Sequence, residues 1–162
     1  MDATVLAKEL RNALGQFATG VTVISTCSAT GSLVGVTANS FAALSLAPPL
    51  VTWALRLNSA SLPAFDANPR FVVTILAQDQ VELSRKFAKH DEHKFENVAY
   101  AFNEHGLPML HGAAAWFECK VVARHEHGDH CLYVAEVERF AQAESEPLVF
   151  HSGAYHALGS IL

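Results

Sequence analysis

Two short stretches of small polar residues carry the chemistry that is easiest to read in this chain. The first, Thr37-Ala38-Asn39-Ser40, stands between apolar runs in residues 35–50, GVTANSFAALSLAPPL, which end on a double proline. Small side chains let backbone N–H groups approach a ligand, and Thr37, Asn39 and Ser40 add short donors and acceptors without bulk. Such a loop suits the cradling of an anion; alone, the same residues equally describe a polar turn between strands. The second stretch is Asn58-Ser59-Ala60-Ser61, followed by Leu62-Pro63 and a short apolar helical pattern through Phe65. Ser59 or Ser61 is placed as the helix cap. A helix N-terminus offers unpaired N–H groups and partial positive charge to a phosphate, while capping without a ligand is the plainer alternative.

Nine histidines raise the question of a metal. It is sharpest at His125, His127 and His130, because residues two apart on a strand face one side. No cysteine or carboxylate completes a ligand set of recognisable spacing, so no metal is expected. The chain carries no Gly-x-Gly-x-x-Gly, no Gly-x-x-x-x-Gly-Lys, no Gly-x-Ser-x-Gly and no His-Glu-x-x-His. A doubly wound dinucleotide domain, a P-loop and the common hydrolase sites are therefore unsupported.

The elements that must position these groups are short. Asp2 is placed to cap a first helix whose apolar side is Val5, Leu6, Leu10, Leu14 and Phe17, and a helix so patterned is expected to lie against a sheet. Residues 21–26, 33–37, 50–55 and 71–76 predict strands, punctuated by glycine, asparagine and proline. Asp79-Gln80-Val81-Glu82 resembles a capping box and opens a helix with Leu83 and Phe87 one turn apart. Phe117, Cys119 and Val121 alternate with Trp116, Glu118 and Lys120, and 132–140 repeats that period of two. Gly128-Asp129 between them predicts an antiparallel hairpin. Many short strands and few helices make the chain mainly β, an antiparallel barrel, closed or partly closed, with peripheral helices.

At 162 residues, with no linker-like stretch, residues 1–162 are expected to form a single domain. Hydrophobic residues make up 51%, and the mean hydropathy of +0.19 is high for a chain whose apolar runs are all too short to span a membrane. The surplus is expected to lie in a subunit interface, most simply that of a homodimer. The net charge of −5, with no basic block, argues against nucleic acid. Residues 1–12 lack the pattern of a signal peptide, and three cysteines without a C-x-x-C pair suggest reduced thiols, so a cytoplasmic protein is expected. Cys119 and Cys131 read as small buried hydrophobes.

Seven segments in order, FATGVTV (17–23), GVTANSF (35–41), SLAPPL (45–50), RKFA (85–88), LPML (107–110), GDH (128–130) and PLVFHSGAY (147–155), make the chain resemble the flavin-reductase-like, FMN-binding split-barrel family. The family's reductases serve two-component flavin monooxygenases. The resemblance implies a split barrel that binds FMN or FAD and reduces it with NADH or NADPH, supplying a separate monooxygenase. It further implies a ring held over Thr37 to Phe41, a phosphate near Asn58, Ser59 and Ser61, and Phe87 packing on the flavin. Arg85 would reach the phosphate or the dinucleotide, and His130 would stand beside the nicotinamide. Ser45 and Tyr155, inside matching segments, complete the candidate set with Trp53, which reads either as core or as a wall of the cofactor site. Ala47 departs from the family, which usually carries an acidic residue there, so no role of that carboxylate transfers. A non-catalytic flavin- or haem-binding protein on the same barrel is the alternative.

Overall fold

In the computed structural model, which describes residues 2–162, a β-rich body carries three helices. The helices are α1 (Ala3–Leu14), α2 (Leu62–Ala67) and α3 (Val81–Ala88). The strands are β1 (Thr19–Gly20), β2 (Thr22–Cys27), β3 (Leu33–Ala38), β4 (Ala42–Leu46), β5 (Pro49–Arg56) and β6 (Arg70–Ile75). They continue with β7 (Tyr100–Phe102), β8 (Pro108–Leu110), β9 (Ala115–His127), β10 (His130–Gln142), β11 (Val149–His151) and β12 (Ala154–His156). Seven of them form one antiparallel sheet in the order β3-β2-β6-β9-β10-β5-β4, beside the smaller sheets β1-β11-β12 and β7-β8.

Strand periodicity divides the interior into two cores. On β2, Ile24 joins Val36, Val51, Trp53, Phe65, Phe71, Val73 and Tyr133 on one face, whereas Val23, with Val21 just before the strand, joins Leu76, Phe87, Leu110 and Leu148 on the other. In the first core β3 and β5, far apart in strand order, pack together through Val36, Val51 and Trp53. The sheet therefore curls back on itself, while β3 and β4 do not pair among the described residues. The expected hairpin forms, with His127 opposite His130 and Gly128 at φ 60°. Cys119 and Cys131 are buried, all three thiols are free, and burial pushes that of Cys119 up to about 12. No described helix is long and apolar enough to cross a membrane.

Two local expectations are corrected. Asp2 does cap α1, accepting from the Thr4 N–H at 3.0 Å, but α1 does not lie against the sheet. Val5, Leu6, Leu10, Leu14 and Phe17 are 47% to 80% exposed. Amphipathic spacing identifies the face that seeks burial but not the surface that supplies it. At α3 no capping box forms; Gln80 occupies the cap position and spends its side chain elsewhere, accepting from Ala77 N and donating to His111 O.

A polar cluster seals one end of the first core. The Tyr133 hydroxyl donates to Asp66 Oδ1 at 2.7 Å, and Arg124 binds both Asp66 oxygens at 2.7 and 2.9 Å. Burial alone raises the Asp66 pKa, but the bonds from Arg124 and Tyr133 outweigh it and hold the carboxyl below its usual range. A carboxyl lowered in the folded state stabilises the fold above its unfolded pKa, and that contribution is lost as pH falls through the folded value. Stability measured by urea unfolding is expected to fall below about pH 4. Asp66→Asn is expected to be less stable at neutral pH and to lose less over the same acid range; equal acid sensitivity in both proteins would refute the assignment.

Candidate functional site

The C-terminal ends of β3 and β5 and the end of α3 enclose an open pocket of about 470 Å³. Residues 36–40 form one wall, and Ala54, Leu55, Arg56, Asn58, Ser59 and Ser61 form a second. Phe87, Ala88, Lys89, His90 and Lys94 contribute from α3 and the chain after it, and His130 stands at the start of β10. Local packing explains why the walls meet. At Gly35 an added Cβ would lie 2.6 Å from the Phe87 ring, so β3 passes over α3 too closely for any side chain. The Thr37 hydroxyl donates to Ser84 O at 2.6 Å, and Lys94 Nζ donates to Gly35 O at 3.1 Å and Phe87 O at 3.0 Å.

The polar loops divide their labour differently from expectation. Ser40 Oγ donates to Ala54 O and accepts from Ala54 N, both at 3.0 Å, standing in for a missing ladder partner of β5. With Thr37 and Ser40 both engaged in the fold, Asn39 is the polar side chain of this loop left for a ligand, at the border of the pocket and the small cleft beside Phe41. Ser61 occupies the α2 cap position with no side-chain cap bond, while Ser59 Oγ accepts from Ser61 N. The backbone of α2 does not supply the expected donors. Leu62 N donates to Ser59 O, Ala64 N and Phe65 N donate to Ser61 O, and Pro63 has no N–H. An anion at this wall would be met chiefly by side chains.

Those side chains are suited to it. Arg56, Lys89 and Lys94 line the pocket, and no carboxylate does among the described residues, although the whole chain carries −5. Burial lowers the Lys94 ammonium below the usual lysine value, with Asp91 opposing. His130 Nδ1 meets Asp129 Oδ1 at 2.6 Å, a bond that holds the Asp129 carboxyl below its usual range. No three His, Cys, Asp or Glu side chains converge as metal ligands among the described residues.

Five candidates fall outside this pocket. Trp53 is corrected outright: it is fully buried, stacked on Tyr133 and edge-on to Phe65 and Phe71, and the period of two turns Ala54 to the pocket instead. Ser45 lies on the edge strand β4, opposite Leu50. Phe41 packs on Phe117 and lines a separate small cleft of about 60 Å³ with Thr19 and Asn39. Arg85 bonds Glu82 at 2.5 Å and sits over the Tyr155 ring, whose hydroxyl meets Ser84 Oγ at 2.7 Å. Both thus brace α3.

Residues 14–159 match the family described as flavin reductase like domain. The chain is 40% identical over 149 residues to an FMN reductase (NADH) of Agrobacterium fabrum, covering 92% of this chain and 84% of that one. The chain belongs to this family. It is also 37% identical to the reductase component of a flavin-dependent trigonelline monooxygenase from Acinetobacter baylyi, aligning over 96% of its own length and half of the relative's. Among solved structures, an NADH:FAD oxidoreductase of Streptomyces globisporus in complex with NAD and FAD fragments superposes with a TM-score of 0.90 at 32% identity, covering 94% and 93% of the two chains. For a flavin-reductase-like chain the pocket is apt: Ala38, Ala54 and Ala88 give apolar surface for a ring, and Asn39, Asn58, Ser61 and three cations give partners for a phosphorylated side chain; Phe87, expected to pack on the flavin, is instead 1% exposed in the second core beneath Gly35. Arg56, Lys89, His90 and Lys94 were not legible as site residues in the sequence. Lys89, His90 and Lys94 lie in or beside the irregular stretch after α3, where no periodicity assigns a face.

Proposed function

We propose that this chain is an NAD(P)H-dependent flavin reductase, transferring hydride from NADH or NADPH to FMN or FAD and delivering reduced flavin to a monooxygenase partner. One observation carries the reading: a pocket with three cations and no carboxylate in a net-negative protein, bordered by apolar surface for a ring. The names of the relatives support the same chemistry. A bound flavin supplies the hydride acceptor. The protein's own residues bind and orient: Asn39 meets the ring edge, and Arg56, Lys89, Asn58, Ser59 and Ser61 hold the phosphate. Ala38, Ala54 and Ala88 keep water from the ring. Hydride transfer needs close stacking more than a strong acid or base, which agrees with a site that has neither a catalytic triad nor a carboxylate pair. The direct test follows NADH or NADPH consumption under air with FMN or FAD added, in all four pairings. No consumption in any pairing overturns the proposal.

His130 is the candidate catalytic residue, placed at the nicotinamide side. Asp129 fixes its Nδ1, leaving the other ring nitrogen to meet a ligand. His130→Ala is expected to raise KM for the nicotinamide or lower kcat by about 2- to 12-fold, the range of one hydrogen bond, with flavin affinity unchanged. Lower thermal stability with both kinetic constants intact would make it a brace of the hairpin.

The apolar face of α1, with Leu46 at 93% and Phe140 at 72% exposure, supports a homodimer, because a surface this apolar is covered in most soluble proteins. Sedimentation at micromolar concentration is expected to return twice the chain mass, and a monomer would refute it. A cytoplasmic location belongs to the same reading, supported by the free cysteines.

A further inference from the structure

Beside the 470 Å³ pocket lies a second cavity of about 820 Å³, and Ser61, His90 and Lys94 line both. Each volume alone lies within the range of about 300 to 1,000 Å³ usual for a small-molecule site. Two such spaces joined at a cationic neck match a ligand of two halves linked by phosphates. We propose that Lys94 binds the pyrophosphate of FAD and that the larger cavity takes its adenylate half, so that this chain selects FAD over FMN; the inference rests on the flavin-reductase reading.

The geometry at the neck is specific to Lys94. Its Nζ donates to two neutral carbonyls, Gly35 O and Phe87 O, which use two of the three ammonium donors and hold the group in place without cancelling its charge. One donor remains, on a group that burial already disfavours as a cation, and an anion at the neck would restore the charged form. Beyond the neck the cavity changes character. Leu33 and Val34 give it an apolar wall for a base, and Ser28, Ser32 and Asp91 give it groups for ribose hydroxyls. The cavity's carboxylates, Asp91 and Glu92, suit a sugar and repel a further phosphate, so the phosphates belong at Lys94.

The test is titration of the flavin-free full chain with riboflavin, FMN and FAD. Wild type is expected to bind FAD roughly tenfold or more tightly than FMN, the scale of one charge-assisted hydrogen bond. Lys94→Met is expected to bring that ratio toward one without changing riboflavin affinity, and Lys94→Arg to restore part of it. Because Lys94 also ties β3 to α3, Ala60→Trp provides a second route: it obstructs the larger cavity with the lysine intact and should weaken FAD more than FMN. Equal wild-type affinity for FMN and FAD would overturn the inference, as would equal losses for riboflavin and FAD in Lys94→Met. A Lys94→Met effect confined to the KM for NADH would also overturn it, giving the cavity to the nicotinamide dinucleotide. Failure to bind any of the three flavins removes the reductase reading and this inference together, whereas equal affinities remove only the inference.

Discussion

Trp53→Ala is expected to destabilise the protein by about 3 to 5 kcal/mol, the usual cost of emptying a large aromatic site in a packed core. Trp53 is fully buried in the first core, with ring centroids 4.9 Å from Phe65, 5.0 Å from Tyr133 and 5.7 Å from Phe71. Three strands and α2 meet around it, so the cavity cannot close without moving the sheet whose next residue, Ala54, lines the pocket. Trp53→Phe separates packing from polarity. The indole N–H has no hydrogen-bond partner in the fold, so its removal relieves a buried, unsatisfied donor while most of the ring contact stays. The phenylalanine variant is therefore expected to lose far less than the alanine variant. Equilibrium urea unfolding of the three proteins measures both differences. A small loss in Trp53→Ala, with flavin affinity abolished, would return Trp53 to the cofactor site.

Asn39→Leu is expected to weaken flavin binding by about 1 to 3 kcal/mol, roughly 5- to 150-fold, with the thermal midpoint unchanged. The hydroxyls of Thr37 and Ser40 are occupied by Ser84 and Ala54, so mutating either disturbs the scaffold, whereas Asn39 lines the pocket and leucine keeps its γ-branched shape without its polar groups. Fluorescence titration with FMN and FAD checks the affinity, and calorimetry checks the fold. Wild-type affinity in the variant would remove Asn39 from the site.

Local patterns were legible because their physics is local. The period of two across 117–121 and 132–140 and the Gly128-Asp129 turn were enough to place β9 and β10, since alternation and turn chemistry act over a few residues. The ordered motifs placed residues 37–40, Asn58, Ser59, Ser61, Phe87 and His130 in one site, and the pocket brings them together. What each group is free to do was decided elsewhere. Ser59 and Ser61 look like the mouth of a helix in sequence, yet Leu62, Ala64 and Phe65 spend their N–H groups inside the turn and Pro63 has none, so the pocket's charge comes from Arg56, Lys89 and Lys94. Arg56 lies more than thirty residues before Lys89 and Lys94 in sequence, and Lys94 is held at their common rim by Gly35 O and Phe87 O, where β3 passes close over the Phe87 ring. Trp53 and Ala54 differ in sequence by one position and in the fold by a whole face of the sheet. The apolar stripe of α1 was equally plain in sequence, but in the fold it stays exposed rather than packing on the chain's own sheet, because hydrophobic spacing specifies which face seeks burial and only the tertiary structure specifies whether a surface meets it.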